Sequence, residues 1–464
     1  VAVETLSALD ALFLRVENQA LHMHIASVGI YEGPMPERDA IVAATAGKLP
    51  QVPRYRQKVR FVPLELGQPV WVDDPDFGLD YHMRFTAVPP PGGEEELCTL
   101  AGRVFGQQLD RARPLWEMWV VDGLAEGRWA VIGKVHHCVV DGVAGIDLMS
   151  MLHDTAPDAA PTPAEPWEAR RGPGTARLLA NALGEGVMDV GQVGRDLVQA
   201  ARRPTRAVTD LLRIGRELNS IAHEAPPTSL NGPVGRARRW MLVRGNLDEA
   251  KTIREFFGTT INDVVLAAIT NGLRDLLIAR GEDVTTRVVR TLVPVSVRRE
   301  HQGALDNRVS CLFPELPIGV EDPVKRLLDI REQMDARKNA HEAEGGESIM
   351  AMGELTPSAL LSFGEHSVAA LPQHLVQTIT TNVPGPRKTL YLAGRRLLET
   401  FPFVPLGPRI RVSIAIESYE RALNYGITGD YDSAPDIGVL ARGIEQGLAD
   451  LKRESKPPSG RSAR

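Results

Sequence analysis

The residues best able to do chemistry lie in the run His136-His137-Cys138-Val139-Val140-Asp141-Gly142. A neutral imidazole has an ordinary pKa near ~6.5, so close to pH 7 it can take a proton from a hydroxyl in a transition state. The run ends an alternating, strand-like stretch from Trp129 to Val135 and opens onto a helix-like one from Val143 to Leu152. Successive side chains on a strand point to opposite faces, so His136 and His137 cannot both address one pocket. His137 adjoins the turn where the strand runs out and is the better base; His136 is then packed or hydrogen-bonded behind it. Asp141 has two readings. Its carboxylate could orient the imidazole, as in a triad, or pair with an arginine and hold the turn, with Arg56 or Arg298 as candidate partners; the second is preferred. Gly142 permits a tight turn that a β-branched residue would strain.

Other chemistries fit this run less well. Metal-binding histidines on a helix recur at i, i+4, and Cys/His sites have their own spacing; neither pattern is present. Cys138, between His137 and two valines, reads as a small buried hydrophobe rather than a nucleophile. Two satisfied core histidines would explain a bare His-His pair, but not the whole pattern at a strand-to-helix junction.

The elements that must position this run are mixed α and β. Leu21 to Tyr31 and Val288 to Val297 read as strands, as does Val412 to Ile416. Helices are expected from Pro36 to Ala46 and from Leu97 to Leu109. The clearest helix runs from Thr260 to Leu277, with Thr260 as its cap and Asp263 three residues on. Trp71 to Phe77 reads as turn-rich, and Thr155 to Trp167 has the proline content of a linker. Beyond it, Leu179, Leu183, Val187, Val190 and Leu197 recur at helical spacing, as do Val208, Leu211, Leu212 and Leu218, with arginines between Arg195 and Arg216 on other faces. This region is either a pair of helices packed on the body or a membrane or lipid-droplet contact.

At 464 residues the chain suits more than one domain. The expected division is 1–155, carrying the histidine run; 156–228, linker and amphipathic helices; 229–454, a second α/β unit; and 455–464, a basic tail. A net charge of −6 argues against nucleic acid as partner. Three cysteines without a CxxC pair fit a reducing compartment, so a cytoplasmic protein is expected. The opening residues lack the basic and apolar regions of a secretory signal. No apolar stretch approaches the ~20 residues that span a bilayer, so any contact with lipid is expected to be peripheral.

His136-His-x-x-x-Asp-Gly142 resembles the active-site signature of the CoA-dependent acyltransferase superfamily, which includes chloramphenicol acetyltransferase and peptide-synthetase condensation domains. Other segments narrow the likeness: Leu9-Asp-Ala-Leu-Phe-Leu14 with Glu17, Pro114-Leu-Trp116, Asn262-Asp-Val-Val-Leu-Ala267, Pro294-Val-Ser-Val-Arg298, Asp306-Asn-Arg-Val-Ser310 and Thr381-Asn-Val-Pro-Gly-Pro386. In this order they are similar to the bacterial wax ester synthase/diacylglycerol acyltransferase family, mycobacterial-type triacylglycerol synthases above all, from about residue 7 to 450.

The resemblance implies an α/β fold of two chloramphenicol-acetyltransferase-like domains, each a mixed sheet with helices, and an active-site channel between them. It implies acyl transfer from long-chain acyl-CoA, as co-substrate and with no cofactor, to a diacylglycerol or fatty alcohol. His137 would be the base and the hydroxyl would attack the thioester directly, which fits the lack of a Gly-x-Ser-x-Gly elbow. Glu17, Trp116, Asn262, Thr381 and Asn382 match substrate-pocket positions. Asn262 could donate towards an oxyanion and Trp116 could offer apolar surface to an alkyl chain; equally, Asn262 could cap its helix, Trp116 could be core, and Asn382 to Pro386 could be a rigid turn. Two other functions compete: a polyketide-associated or condensation-type acyltransferase using a carrier-protein thioester, and a non-catalytic lipid-body protein. The lack of a fused carrier domain weighs against the first and the intact motif against the second.

Overall fold

In chain order the elements are β1 (Glu4–Thr5), α1 (Ala8–Val16), β2 (His24–Tyr31), α2 (Arg38–Lys48), β3 (Gln57–Arg60), β4 (Val70–Asp73), α3 (Leu79–His82), β5 (Met83–Ala87), α4 (Glu94–Phe105), β6 (Trp116–Asp122) and β7 (Trp129–His136). A second series follows: β8 (Arg238–Asn246), α5 (Leu247–Phe257), α6 (Ile261–Ala279), β9 (Val289–Val297), β10 (Arg308–Leu312), β11 (Glu315–Leu316), α7 (Pro323–Ala343), β12 (Thr378–Pro384), β13 (Tyr391–Leu392), β14 (Arg395–Phe403), β15 (Val412–Tyr419), β16 (Ala422–Asp430) and α8 (Ile437–Glu454). The structure is a computed structural model that describes residues 4–63, 67–140, 152–159, 162–163, 166–180, 227–297, 308–343 and 376–456. Asp141, Gly142, Arg298, the arginine-bearing stretch between Arg195 and Arg216, and the end of the tail lie outside the described residues.

Two large sheets organise the chain. The first has the order β13-β14-β2-β7-β6-β5, and the second β10-β9-β12-β15-β16-β8 with β11 paired to β9. A small sheet, β1-β4-β3, flanks the first. In the first sheet β2 and β7 are antiparallel, with His24 opposite His136 and Tyr31 opposite Trp129. The sheet is apolar on both faces. Val28, Ile30, Ala130, Ile132, Phe401 and Phe403 pack with α4 residues and Trp240 on one side. Tyr31, Trp116, Trp129, Val131 and Val135 pack on the other. In the second sheet Ile414, Ile416 and Ile427 pack against α6 and α8.

Helix α6 starts where the sequence places it. Thr260 Oγ1 accepts from the Asp263 N–H at 3.2 Å, and the Asp263 carboxylate accepts from the Thr260 N–H at 2.8 Å, so two orphan donors of the first turn are satisfied. Small residues let α6 and α8 meet closely. A Cβ at Gly443 would fall 2.6 Å from the Cα of Gly272, so any larger residue would force the helices apart.

One strand crosses between the halves. β14 comes late in the chain yet pairs antiparallel with β2, with Phe401 opposite Val28 and Phe403 opposite Ala26. Its other side lies against the second sheet. Asn424 Nδ2 donates to the Thr400 carbonyl at 2.9 Å, Ser413 Oγ to Val404 at 3.1 Å and the Tyr419 hydroxyl to Leu397 at 3.1 Å. The strand backbones approach so closely that a Cβ at Gly426 would sit 1.7 Å from the Pro402 carbonyl oxygen. The stretch from 229 to 454, expected as one unit, therefore gives β13 and β14 to the first sheet.

Two local expectations need correction. Trp71 to Asp73 is not turn but strand β4, because β3 and β1 supply partners that the Asp-Pro-rich sequence beside it does not reveal. The stretch read as linker does not hang free where it is described. Trp167 meets Phe77 edge-on at 6.0 Å, and the Arg56 guanidinium lies 5.3 Å from its ring centre. Farther on, Arg170 binds Asp73 and the Pro173 carbonyl accepts from Arg60 at 2.7 Å. Burial alone would raise the Asp73 pKa, but hydrogen bonds from Arg170 and Gln57 hold it down to about 2. Leu178 then fills a pocket made by Val62, Val70 and Val72, an anchor of about 1.5–3 kcal/mol.

Candidate active site

Strand β7 ends with the His136 N–H bonded to the Leu115 carbonyl at 2.9 Å, and the chain then turns through His137, Cys138 and Val139. His136 caps that turn. Its Nδ1 accepts from the Cys138 N–H at 3.2 Å and lies 3.0 Å from the Cys138 sulfur. A backbone amide can only donate, so Nδ1 carries the lone pair and the ring hydrogen belongs on Nε2. Nε2 faces Glu17 Oε1 at 3.8 Å. Burial, with His137 and Arg111 nearby, pushes the His136 pKa down to about 3 and keeps the ring neutral. His136 thus sits behind the turn as a structural group. Cys138 is fully buried and burial raises its thiol above the ordinary range, as suits an inert side chain.

His137 is placed differently. Its N–H donates to the Met23 carbonyl at 2.8 Å, which fixes its backbone. Its ring stacks on Phe13 of α1, centroids 4.6 Å apart and planes 27° apart. The residue as a whole is half-buried. Among the described residues no group takes up either ring nitrogen in a hydrogen bond, whereas His22 and His82 are bonded to carbonyls. Burial lowers the His137 pKa to about 4, so at neutral pH the ring is unprotonated. A neutral imidazole with uncommitted nitrogens at a strand end is equipped to accept a proton.

Glu17 lies just past α1. Its Oε2 accepts from Arg111 Nε at 3.0 Å and from the guanidinium nitrogen Nη2 at 2.8 Å, and its Oε1 accepts from the Met23 N–H at 3.1 Å. Arg111 also reaches the Leu14 carbonyl at 2.6 Å. Beyond His136 lies His24, fully buried and with no hydrogen-bond partner for either ring nitrogen among the described residues. Burial, with Lys134, His22, His136 and Arg238 around it, holds its pKa well below the ordinary value.

The second sheet supplies another group of candidates. Asn382 Nδ2 donates to Asn262 Oδ1 at 3.4 Å, tying the end of β12 to the first turn of α6. Register puts Asn382 beside Ile416 and Thr381 beside Ala415. Ile416 packs towards α6, so Asn382 shares that face and Thr381 points the opposite way, to the side where β15 meets β14.

A family model for the wax ester synthase/diacylglycerol acyltransferase catalytic domain matches residues 6–265, and one for the C-terminal domain matches residues 305–452. This chain belongs to the wax ester synthase/diacylglycerol acyltransferase family. A putative diacylglycerol O-acyltransferase of Mycobacterium bovis and a probable one of Mycobacterium tuberculosis are each 36% identical to it, over 97% of this chain and 96% of theirs. Among solved structures, the wax ester synthase/diacylglycerol acyltransferase of Marinobacter aquaeolei superposes with a TM-score of 0.69 at 24% identity, over 97% of this chain and 99% of that one. The first condensation domain of the CDA synthetase gives a TM-score of 0.58 at 16% identity, over 98% and 97% of the two chains. These likenesses establish the two-domain acyltransferase-type fold expected from the sequence.

Within this family fold, one candidate pocket residue is spent elsewhere. Trp116 is 2% exposed, its ring between Tyr55 at 4.4 Å and His82 at 4.5 Å and its Nε1 donating to the Tyr55 carbonyl at 2.9 Å. It packs in the core of the first sheet. Arg56, a candidate partner for Asp141, lies over Trp167. The sequence reading missed Phe13, Arg111 and Glu417. Glu417 on β15 is 7% exposed and accepts from the Thr400 hydroxyl at 3.1 Å; burial pushes it up to about 7, against that hydrogen bond. A carboxyl inside the run Val412-Ser-Ile-Ala-Ile-Glu417 was the one available signal.

Proposed function

We propose that this protein transfers an acyl group from long-chain acyl-CoA to the free hydroxyl of a diacylglycerol, giving triacylglycerol and CoA. A long-chain fatty alcohol, giving a wax ester, is the second acceptor. His137 takes the hydroxyl proton as the oxygen attacks the thioester carbonyl. The tetrahedral intermediate then expels the CoA thiolate, which recovers the proton from the imidazolium. The step needs no acyl-enzyme, and its only co-substrate is acyl-CoA. Thr381 faces the seam between the sheets and is the candidate for lining the substrate channel; Asn262, with its oxygen engaged by Asn382, keeps its NH₂ for the developing oxyanion.

The observation that carries this reading is the contrast between the two histidines. His136 is buried with its Nδ1 bonded to the Cys138 N–H, while His137 is neutral, stacked and, among the described residues, without a hydrogen bond on either ring nitrogen. The test is release of free CoA from palmitoyl-CoA, with dioleoylglycerol or hexadecanol as acceptor. Acceptor-dependent release should fall by about 10²–10⁴ in His137→Ala with an unchanged melting temperature, as for loss of a general base. Release that survives in His137→Ala, or that requires a carrier-bound thioester, would overturn the proposal.

Association with a membrane or lipid-droplet surface belongs to the same proposal. Both lipid substrates reside there, and among the described residues no helix is long and apolar enough to cross a membrane. Flotation with anionic liposomes should succeed at low salt and weaken as salt rises, since each basic residue near such a surface contributes about 1 kcal/mol. Failure to float at low salt would refute peripheral docking.

A further inference from the structure

Three of the groups that hold His137 in place converge on one carboxylate. Glu17 receives the Arg111 guanidinium on Oε2, the Met23 N–H on Oε1, and faces the His136 Nε2 at 3.8 Å. Met23 in turn holds the His137 N–H through its carbonyl, and His136 caps the turn through the Cys138 N–H. Arg111 also holds the Leu14 carbonyl, one residue from the Phe13 ring on which His137 rests. Backbone, turn and ring plane of His137 are therefore all referred to the Arg111–Glu17 pair. We propose that Arg111 is a positioning residue for the acyl transfer, clamping Glu17 so that His136 stays the neutral Nε2–H tautomer that caps the catalytic turn. Glu17 then serves the turn and not the substrate. The proposal rests on the reading of His137 as base.

The chemistry of the clamp is specific. If His136 were protonated, both ring nitrogens would donate, and Nδ1 could no longer accept from Cys138. Glu17 alone would favour that protonation, and the Arg111 cation offsets it. Apart from Asp10 on α1, a carboxylate engaged by the Ser7 hydroxyl at 2.6 Å, the other groups around His136 push the same way as Arg111 or carry no charge: His137 on the turn, the neutral His24 opposite it on β2 with His22 beyond, and the cations Lys134 on β7 and Arg238 on β8 behind His24. Asp10 and Cys138 complete the surroundings, the thiol being neutral. Of the two carboxylates, Glu17 is the one that faces the His136 Nε2.

The experiment is steady-state acyl transfer against pH for Arg111→Gln, Arg111→Lys, Glu17→Gln and the double variant. Arg111→Gln should lower kcat by about 10–100-fold, the scale of a small misplacement of a catalytic group, with KM for palmitoyl-CoA and diacylglycerol within about twofold. It should also move the acid limb of the kcat profile upward by about one pH unit or more, because an uncompensated carboxylate now faces His136. The double variant and Glu17→Gln, lacking that anion, should show no such shift. Arg111→Lys should restore the position of the limb while recovering only part of kcat, since an ammonium supplies the charge but not the fork. Wild-type kcat in Arg111→Gln overturns the proposal. So does a loss that tracks melting temperature alone, or the same limb shift in the double variant. If His137→Ala stays active, the base assignment has failed; if it is inactive while Arg111→Gln is normal, only the clamp has.

Discussion

Replacing His136 separates the two roles that the paired histidines could share. In His136→Ala the Cys138 N–H loses its cap at a buried position. Loss of a helix-type cap costs about 0.5–2 kcal/mol, and a buried amide left without a partner costs about 1–3 kcal/mol. The removed ring also leaves a cavity beside His24, so a total near 2–4 kcal/mol is expected. For a unit of this size each kcal/mol lowers Tm by about 2–4 °C, which puts the fall at roughly 4–16 °C. His136→Asn offers a side-chain oxygen at the same capping position and should recover about half of the loss. Differential scanning calorimetry at pH 7.5 measures both, with CoA release on the same samples. The reasoning fails if alanine and asparagine variants melt alike, or if His136→Ala keeps its Tm while losing as much activity as His137→Ala.

Two further outcomes are expected. Gly426→Ala places a methyl against the Pro402 carbonyl, 1.7 Å from its oxygen; urea unfolding should show a loss of at least about 1–3 kcal/mol, as for overpacking, and an unaltered midpoint would contradict the seam geometry. Glu417 has a folded pKa raised from 4.5 to about 7, so its contribution to stability is present below about 4.5 and is lost as pH rises through 7. Glu417→Gln should therefore melt like the parent near pH 4 and be more stable by about 3 kcal/mol at pH 8; equal curves at pH 8 would show that Glu417 is not held in its acid form.

What the sequence made legible was local. The capping box of Thr260 and Asp263 and the alternation of Trp129 to Val135 carry their structure within a few residues and form where the pattern places them, and the described part of the histidine run turns at His137 as expected. Likeness to a family reached further, giving the two acyltransferase-type domains. Neither source shows what a side chain is spent on. Trp116 matches a pocket position in sequence, yet its neighbours Tyr55 and His82 come from segments more than thirty residues away and stack on both its faces. Thr381 and Asn382 are adjacent in the motif, and a period of two in β12 sends them to opposite faces. Arg111 belongs to no motif at all; its meaning comes from Glu17, which only the fold brings near. The stretch from Thr155 to Trp167 reads as a linker because its proline content is real, while the anchorage of the chain just beyond it by Arg170 and Leu178 depends on a sheet whose strands are distant in sequence.

The late arrival of β14 has a consequence for how the chain is made. Strands β2, β5, β6 and β7 have all been synthesised by residue 136, but their sheet gains β14 only once residue 403 has emerged. At ~5–20 residues per second, the roughly 260 intervening residues occupy a ribosome for some tens of seconds. Throughout that interval β2 presents an open row of donors and acceptors with Val28 and Ile30 beside it, an edge to which other chains readily add. A fragment ending between the two family domains would keep that edge for good. Cellular yield of this protein should accordingly depend on whatever shields a nascent sheet, and splitting the gene at the domain boundary should give an insoluble first half. The first sheet can be closed only from the far end of the chain.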